Sequence, residues 1–250
     1  MLLFLHLFFA AQANPVPPFA EQVIDDKVTI GYGVALGDVD GDGKPDILLA
    51  DKKQIVWYRN GDWKKSVIAE NLTAFDNVCI AARDINGDGK VEVAVGAQWN
   101  PGETSDSTLS GAVFYLERPS DPHQQWKPVR LPHEPTVHRM RWVKSSDEKY
   151  FLVVLPLHGR GNKGGEGAGV KVWAYEFPKD VNAKWPMHLI SQEMHLTHNM
   201  AIKEATQTSI LVAGKEGIRT IGEPFSQNNS SKELPGKNYP AGEIKIAKNF

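Results

Sequence analysis

The sequence predicts an all-β chain folded as a β-propeller of four-stranded antiparallel blades. Three observations carry this expectation: a self-similar unit that recurs about four times, a strand-turn-strand pattern inside each unit, and Gly and Pro too frequent for long helices. The 250 residues include 22 Gly and 16 Pro, with 41% hydrophobic and 23% charged residues, the balance of a folded chain rather than a disordered one. Lys and Arg number 28 against 30 Asp and Glu, so the net charge is −2 and no basic excess exists to neutralise a nucleic acid. The one cysteine, Cys79, cannot make an internal disulfide, which leaves stability to a packed core.

Residues 1–13 read as a signal peptide. The run is apolar, ends in the small-x-small triplet Ala11-Gln12-Ala13 and is followed by Asn14 and Pro15. No basic residue precedes it, so a buried N-terminal strand is the alternative reading. It is too short to span a bilayer, and no other segment is apolar enough to do so. The expectation is a secreted protein, extracellular or periplasmic, with no membrane span; the sequons at Asn71, Asn228 and Asn229 agree.

Residues 14–250 read as one propeller domain with blades at about 31–73, 74–134, 135–195 and 196–250. The segment 33–59 recurs as 79–99 followed by 111–118, then as 139–159 followed by 169–177, and again over 199–223. Between the copies, Trp63, Trp126 and Trp185 each open a fourth strand. A sandwich of the same strands is the competing architecture, but it would not require the units to resemble one another. The stretch 242–250 alternates like a strand and stops without a cap, which adds part of a fifth blade and suggests an open segment, incomplete at the C-terminus. Such a segment leaves unpaired strand edges at its end blades.

Two units carry an acidic turn between their first and second strands. Asp38, Asp40, Asp42 and Asp46 occupy positions 1, 3, 5 and 9 of one, and Asp84, Asn86, Asp88 and Glu92 the same positions of the other, with Gly43 and Gly89 sixth. Hard oxygens at alternating positions of a tight turn suit Ca²⁺, and no thiolate or imidazole is present to favour zinc. An EF-hand is excluded because position 12 holds Leu49 or Val95 and the flanks are strands. The expectation is two structural Ca²⁺ sites, against the alternative of solvated turns without metal. The corresponding turns at 145–149 and 204–208 lack the pattern.

The rim remote from these turns collects ionisable groups. Tyr32, His138 and His198 align at the start of strand one, with Asp76 and Asn77 nearby in the second unit; Lys52, Gln98, His158 and Lys215 align at the end of strand two. Seven of the eight histidines fall between His123 and His198. A lone His is usually structural, but three at equivalent rim positions beside Tyr and Lys point to a site. His123, His133 and His188 read as structural, and the His195/His198 pair does not read as a zinc site, since on an extended segment the two would diverge. The loop 158–169 contains a formal G-x-G-x-x-G, but it leads into a strand and so fails as a dinucleotide site. It reads instead as a mobile rim loop bearing Arg160, Lys163 and Glu166.

The acidic turns resemble the calcium hairpins of FG-GAP and VCBS propeller repeats. Together with THNM (197–200), PLHGRG (156–161) and VHRMRW (137–142), they resemble the propeller domain of the aldos-2-ulose dehydratase family and related sugar lyases. The resemblance implies a seven-bladed ring, with further C-terminal blades and partner domains outside this sequence. It also implies a carbohydrate substrate and a carbon-oxygen lyase or dehydratase acting by β-elimination on a keto-sugar or uronate. On that reading His138 and His158 are base and acid in unassigned order, Arg160 stabilises the enolate, and Tyr32, His198 and Lys215 position hydroxyls or assist proton transfer. The alternatives are a non-enzymatic carbohydrate- or protein-binding propeller, with Trp99 suited to sugar stacking, or an inactive fragment.

Overall fold

The computed structural model describes residues 19–205, 207–222, 232–233 and 239–246. The predicted leader, Asn228 and Asn229 lie outside them. The described residues form an all-β propeller array with no helix, and therefore no helix long and apolar enough to cross a membrane. Blade 1 comprises β1 (Gly33–Gly37), β2 (Asp46–Ala50), β3 (Gln54–Tyr58) and β4 (Lys65–Glu70). Blade 2 comprises β5 (Cys79–Arg83), β6 (Glu92–Ala97), β7 (Ala112–Glu117) and β8 (Lys127–Leu131). Blade 3 comprises β9 (Val137–Lys144), β10 (Tyr150–Pro156), β11 (Val172–Glu176) and β12 (Met187–Ser191), and blade 4 comprises β13 (Thr197–Lys203), β14 (Ser209–Gly214), β15 (Gly217–Ile221) and β16 (Lys232–Glu233). Each sheet is antiparallel with its strands in chain order.

Successive blades touch through their first strands, β1 with β5, β5 with β9 and β9 with β13. The period-two alternation of a strand explains why the central strands read as unbroken apolar runs. On β10, Phe151, Val153 and Leu155 enter the core between blades 3 and 4, while Leu152 and Val154 enter the core between blades 2 and 3. On β6, Val93, Val95 and Ala97 face blade 1 and Ala94 faces blade 3. Both strands are therefore apolar on both faces, and truncating the fully buried Leu152 or Leu155 of β10 to Ala costs about 2–5 kcal/mol.

The fourth-strand tryptophans are equivalent in two blades. Trp126 Nε1 donates to Pro122 O at 3.2 Å and Trp185 Nε1 to Val181 O at 3.0 Å, both indoles being buried. Trp63 differs: it has φ +53° and packs on the outer face of blade 1, because the turn 60–62 before it is tighter. That face also carries residues 22–28, where Asp25 accepts hydrogen bonds from Tyr58 Oη at 2.6 Å and Lys65 Nζ at 2.9 Å. These bonds hold the Asp25 carboxyl well below the usual range.

The stretch expected to begin a fifth blade is not a strand in its described part, 242–246. Ala241 N donates to Gly214 O at 3.0 Å, much as Asn77 N and Thr197 N join their blades to the one before.

Candidate functional site

The acidic turns and the rim lie at opposite ends of the first strands. β1 runs from Gly33, next to Tyr32 at the rim, to Gly37, where the first acidic turn begins; β5 likewise runs from Cys79, just after Asn77, to Arg83, next to Asp84 of the second turn.

Both turns fold by the same hydrogen bonds. Asp38 accepts from Gly41 N and Gly43 N at 2.6 and 2.7 Å, and Asp84 from Gly87 N and Gly89 N at 2.7 and 3.0 Å. Gly43 and Gly89 have φ of +83° and +80°, which is why glycine holds the sixth position. Oxygens of Asp38, Asp40 and Asp42 lie within 4.8 Å of one another, the one such group among the described residues. The position-nine carboxylates brace the turns: Asp46, fully buried, accepts from Val39 N and Asn60 N at 2.9 and 2.7 Å, and Glu92 from Ile85 N and Asn86 Nδ2 at 3.0 and 2.8 Å. Burial, followed by neighbouring carboxylates, pushes Asp46 up, and burial pushes Glu92 up to about 7. An all-oxygen donor set of clustered carboxylates, with Lys44 Nζ 3.5 Å from Asp42 as the one cation paired in the first turn among the described residues, fits a hard divalent cation. The second turn is less negative, because Asn86 replaces an Asp and Arg118 Nη2 sits 3.1 Å from Asp88.

At the rim the structure brings together Trp99, His138 and His198. The His138 ring stacks on Trp99 with centroids 5.1 Å apart, and the His198 ring, tilted by 56°, lies 5.0 Å from His138. Both ring nitrogens of His138 are buried without a hydrogen-bond partner, as is Nδ1 of His158. Burial, then the charges of Arg139, His198 and His158, pushes His138 down to about 3; burial also lowers His158. Thr136 fixes His158, its Oγ1 accepting from His158 N at 3.1 Å. His198 Nδ1 meets Gly242 O. A pocket of about 310 Å³, lined by Leu157, Leu196, His198 and Lys215 among others, opens beside this cluster.

The other rim residues are dispersed or engaged. Tyr32 is exposed on blade 1, positioned by Asp51, which gathers the amides of Thr29, Ile30 and Gly31, and shares no hydrogen bond or ring contact with the imidazoles among the described residues. Asn77 is buried and donates to Asp51 O, while Lys52 O receives Asn77 N. Arg160, expected to face a substrate, is instead bound to Glu134 at 2.9 Å and to Ser105 O at 2.6 Å. Lys215 Nζ pairs with Glu166 at 2.9 Å.

The Gly-rich loop, expected to be mobile, is anchored throughout. Asn162, fully buried, donates to Ala168 O and His195 O at 3.1 and 2.9 Å and accepts from Gly165 N at 3.0 Å. A Cβ on Gly159 would stand 1.9 Å from Ala168 O, so no other residue fits there. Beside the loop lies a pair that the sequence reading missed: His195 Nδ1 is 2.8 Å from Glu216 Oε1, which also accepts His195 N at 2.9 Å. No spacing signal announces it, since 21 residues separate the two.

Residues 20–95, under a third of the chain, match the FG-GAP-like repeat family; the span includes both acidic turns. No curated protein sequence matches the chain.

Proposed function

We propose that this protein is a secreted, calcium-stabilised carbohydrate-active propeller that removes a leaving oxygen from a keto-sugar or uronate by β-elimination. The observation that carries the reading is the Trp99–His138–His198 ring cluster, whose His198 lines a pocket of about 310 Å³ and so sets an aromatic platform and imidazoles beside one opening. The segments 137–142, 156–161 and 197–200, read from the sequence as like those of sugar dehydratase and lyase propellers, suggest the same substrate class.

The elimination needs a base for the proton next to the carbonyl or carboxylate, a positive charge for the enolate, and a donor for the departing oxygen. Burial keeps His138 and His158 unprotonated at neutral pH, with a ring lone pair on each, and makes both weaker bases than a free imidazole. Protonated forms of these two are disfavoured by the same burial, so the donor must be another rim group. Arg160, tied to Glu134, is poorly placed to stabilise an enolate. Asp38, Asp40 and Asp42, with Asp84, Asn86 and Asp88 in the second turn, would hold Ca²⁺, which supplies cross-linking charge to the turns; the site chemistry is independent of it.

A non-enzymatic sugar-binding role is favoured by one observation, the prior engagement of both Arg160 and Lys215 with carboxylates. Incubation with uronate oligosaccharides and keto-sugars separates the readings. New ultraviolet absorbance from an unsaturated product supports elimination, and saturable binding without product supports the binding role.

A further inference from the structure

Two arginines on the wall below the rim have no acidic partner among the described residues. Arg139 and Arg141 lie two residues apart on β9, immediately after His138, and so share one face of the strand about 7 Å apart. Arg139 Nη1 donates to His138 O at 3.1 Å and Arg141 Nη1 to Met140 O at 2.9 Å. No carboxylate reaches ion-pair distance of either among the described residues, and most of the five N–H donors of each remain open. Five of the other six arginines do pair with Asp or Glu, and the sixth, Arg130, lies over the Phe114 ring. Glu243 is the acid that faces Arg141 from the segment 239–246, without bonding to it.

Arg141 also lines a groove of about 250 Å³ between β1, β5 and β9, with Val34, Leu36 and Trp142. The other guanidinium in that groove, Arg83, is committed to Glu204 and stacks over Tyr150. Arg141 is exposed to solvent along this groove, so an anion can reach its guanidinium. A planar guanidinium fork matches a carboxylate bidentately.

We propose that Arg139 and Arg141 form an anion-recognition wall that runs from His138 into this groove and takes the carboxylate of a uronate, making acidic rather than neutral sugars the ligand class. The inference rests on the carbohydrate reading of the rim and narrows it. It also provides the positive charge that Arg160 cannot, since a carboxylate neutralised by guanidinium acidifies the proton beside it.

The test is calorimetric titration of the full chain with an oligogalacturonate, its neutral methyl ester, and an oligosaccharide of neutral sugars made anionic by sulfate esters. The acid should bind at least tenfold more tightly than the ester and should weaken as salt rises. Arg139→Gln and Arg141→Gln should each lose about tenfold with the thermal melt retained, whereas Arg130→Gln should bind normally. Equal binding of acid and ester, equal binding of the sulfated sugar, or unchanged affinity in both variants overturns the wall while leaving the carbohydrate reading in place. Failure of every sugar to bind overturns both.

Discussion

His138 is held against Trp99 with its ring plane 25° from parallel to the indole and both of its nitrogens without a partner. An imidazole stacked in this way has the packing of an aromatic residue and the unmet polarity of a base. Buried nitrogens with no hydrogen bond cost about 1–3 kcal/mol, so this arrangement is one that folding alone would not select.

Replacing His138 with Phe should therefore keep the stack, leave stability unchanged or raise it by about 1 kcal/mol, and abolish sugar turnover. Thermal melts and product assays on His138→Phe check both halves. Loss of several degrees with turnover intact would assign His138 a structural role.

The same residue sets an acid limit. His138 titrates near 3 in the fold against an ordinary value of 6.5, so below 6.5 the unfolded chain takes up a proton that the native chain refuses. Its contribution is fully present above about 6.5 and is lost progressively as pH falls toward 3, at up to about 1.4 kcal/mol per pH unit. Denaturant melts across this window should show a shallower decline for His138→Phe than for the parent chain.

Calcium should raise the melting temperature. At a free concentration about 100 times Kd, binding adds about 2.7 kcal/mol, or roughly 5–10 °C for a chain of this size. Asp40→Asn should lose more of this shift than Asp88→Asn, because the first turn carries four carboxylates and the second has Arg118 beside it. Identical melts in calcium and chelator would reject the metal assignment of both turns.

Asn162→Ala should remove the post that holds the Gly-rich loop. Its three hydrogen bonds, each worth about 1 kcal/mol, predict a loss of about 3 kcal/mol and new proteolytic cleavage between 159 and 169. Unchanged resistance to protease would mean that the ties of Arg160 and Lys215 suffice alone.

The blades were legible because their signals are local and repeated. Alternation on β6 and β10, the tryptophans Trp126 and Trp185, and the glycines at 43 and 89 each act within a few residues, and their recurrence marks the unit. The His138–His198 contact was also readable, since repeat-equivalent positions must converge on one rim. What escaped were choices of distant partner. Arg160 read as a free cation because nothing in the chain marks Glu134, 26 residues earlier, as its acid. The loop read as mobile because glycine content reports permitted backbone and not the single buried Asn162 that fixes it. Arg139 and Arg141 went unnoticed for the converse reason, since a missing partner leaves no mark in sequence.

The most direct test of the rim assignment compares His138→Phe with Asp40→Asn on a uronate substrate at saturating calcium, following unsaturated product by absorbance. The account predicts no product from His138→Phe and near-parental product from Asp40→Asn, since the rim and the acidic turns lie at opposite ends of the blades. Full turnover by His138→Phe would contradict it.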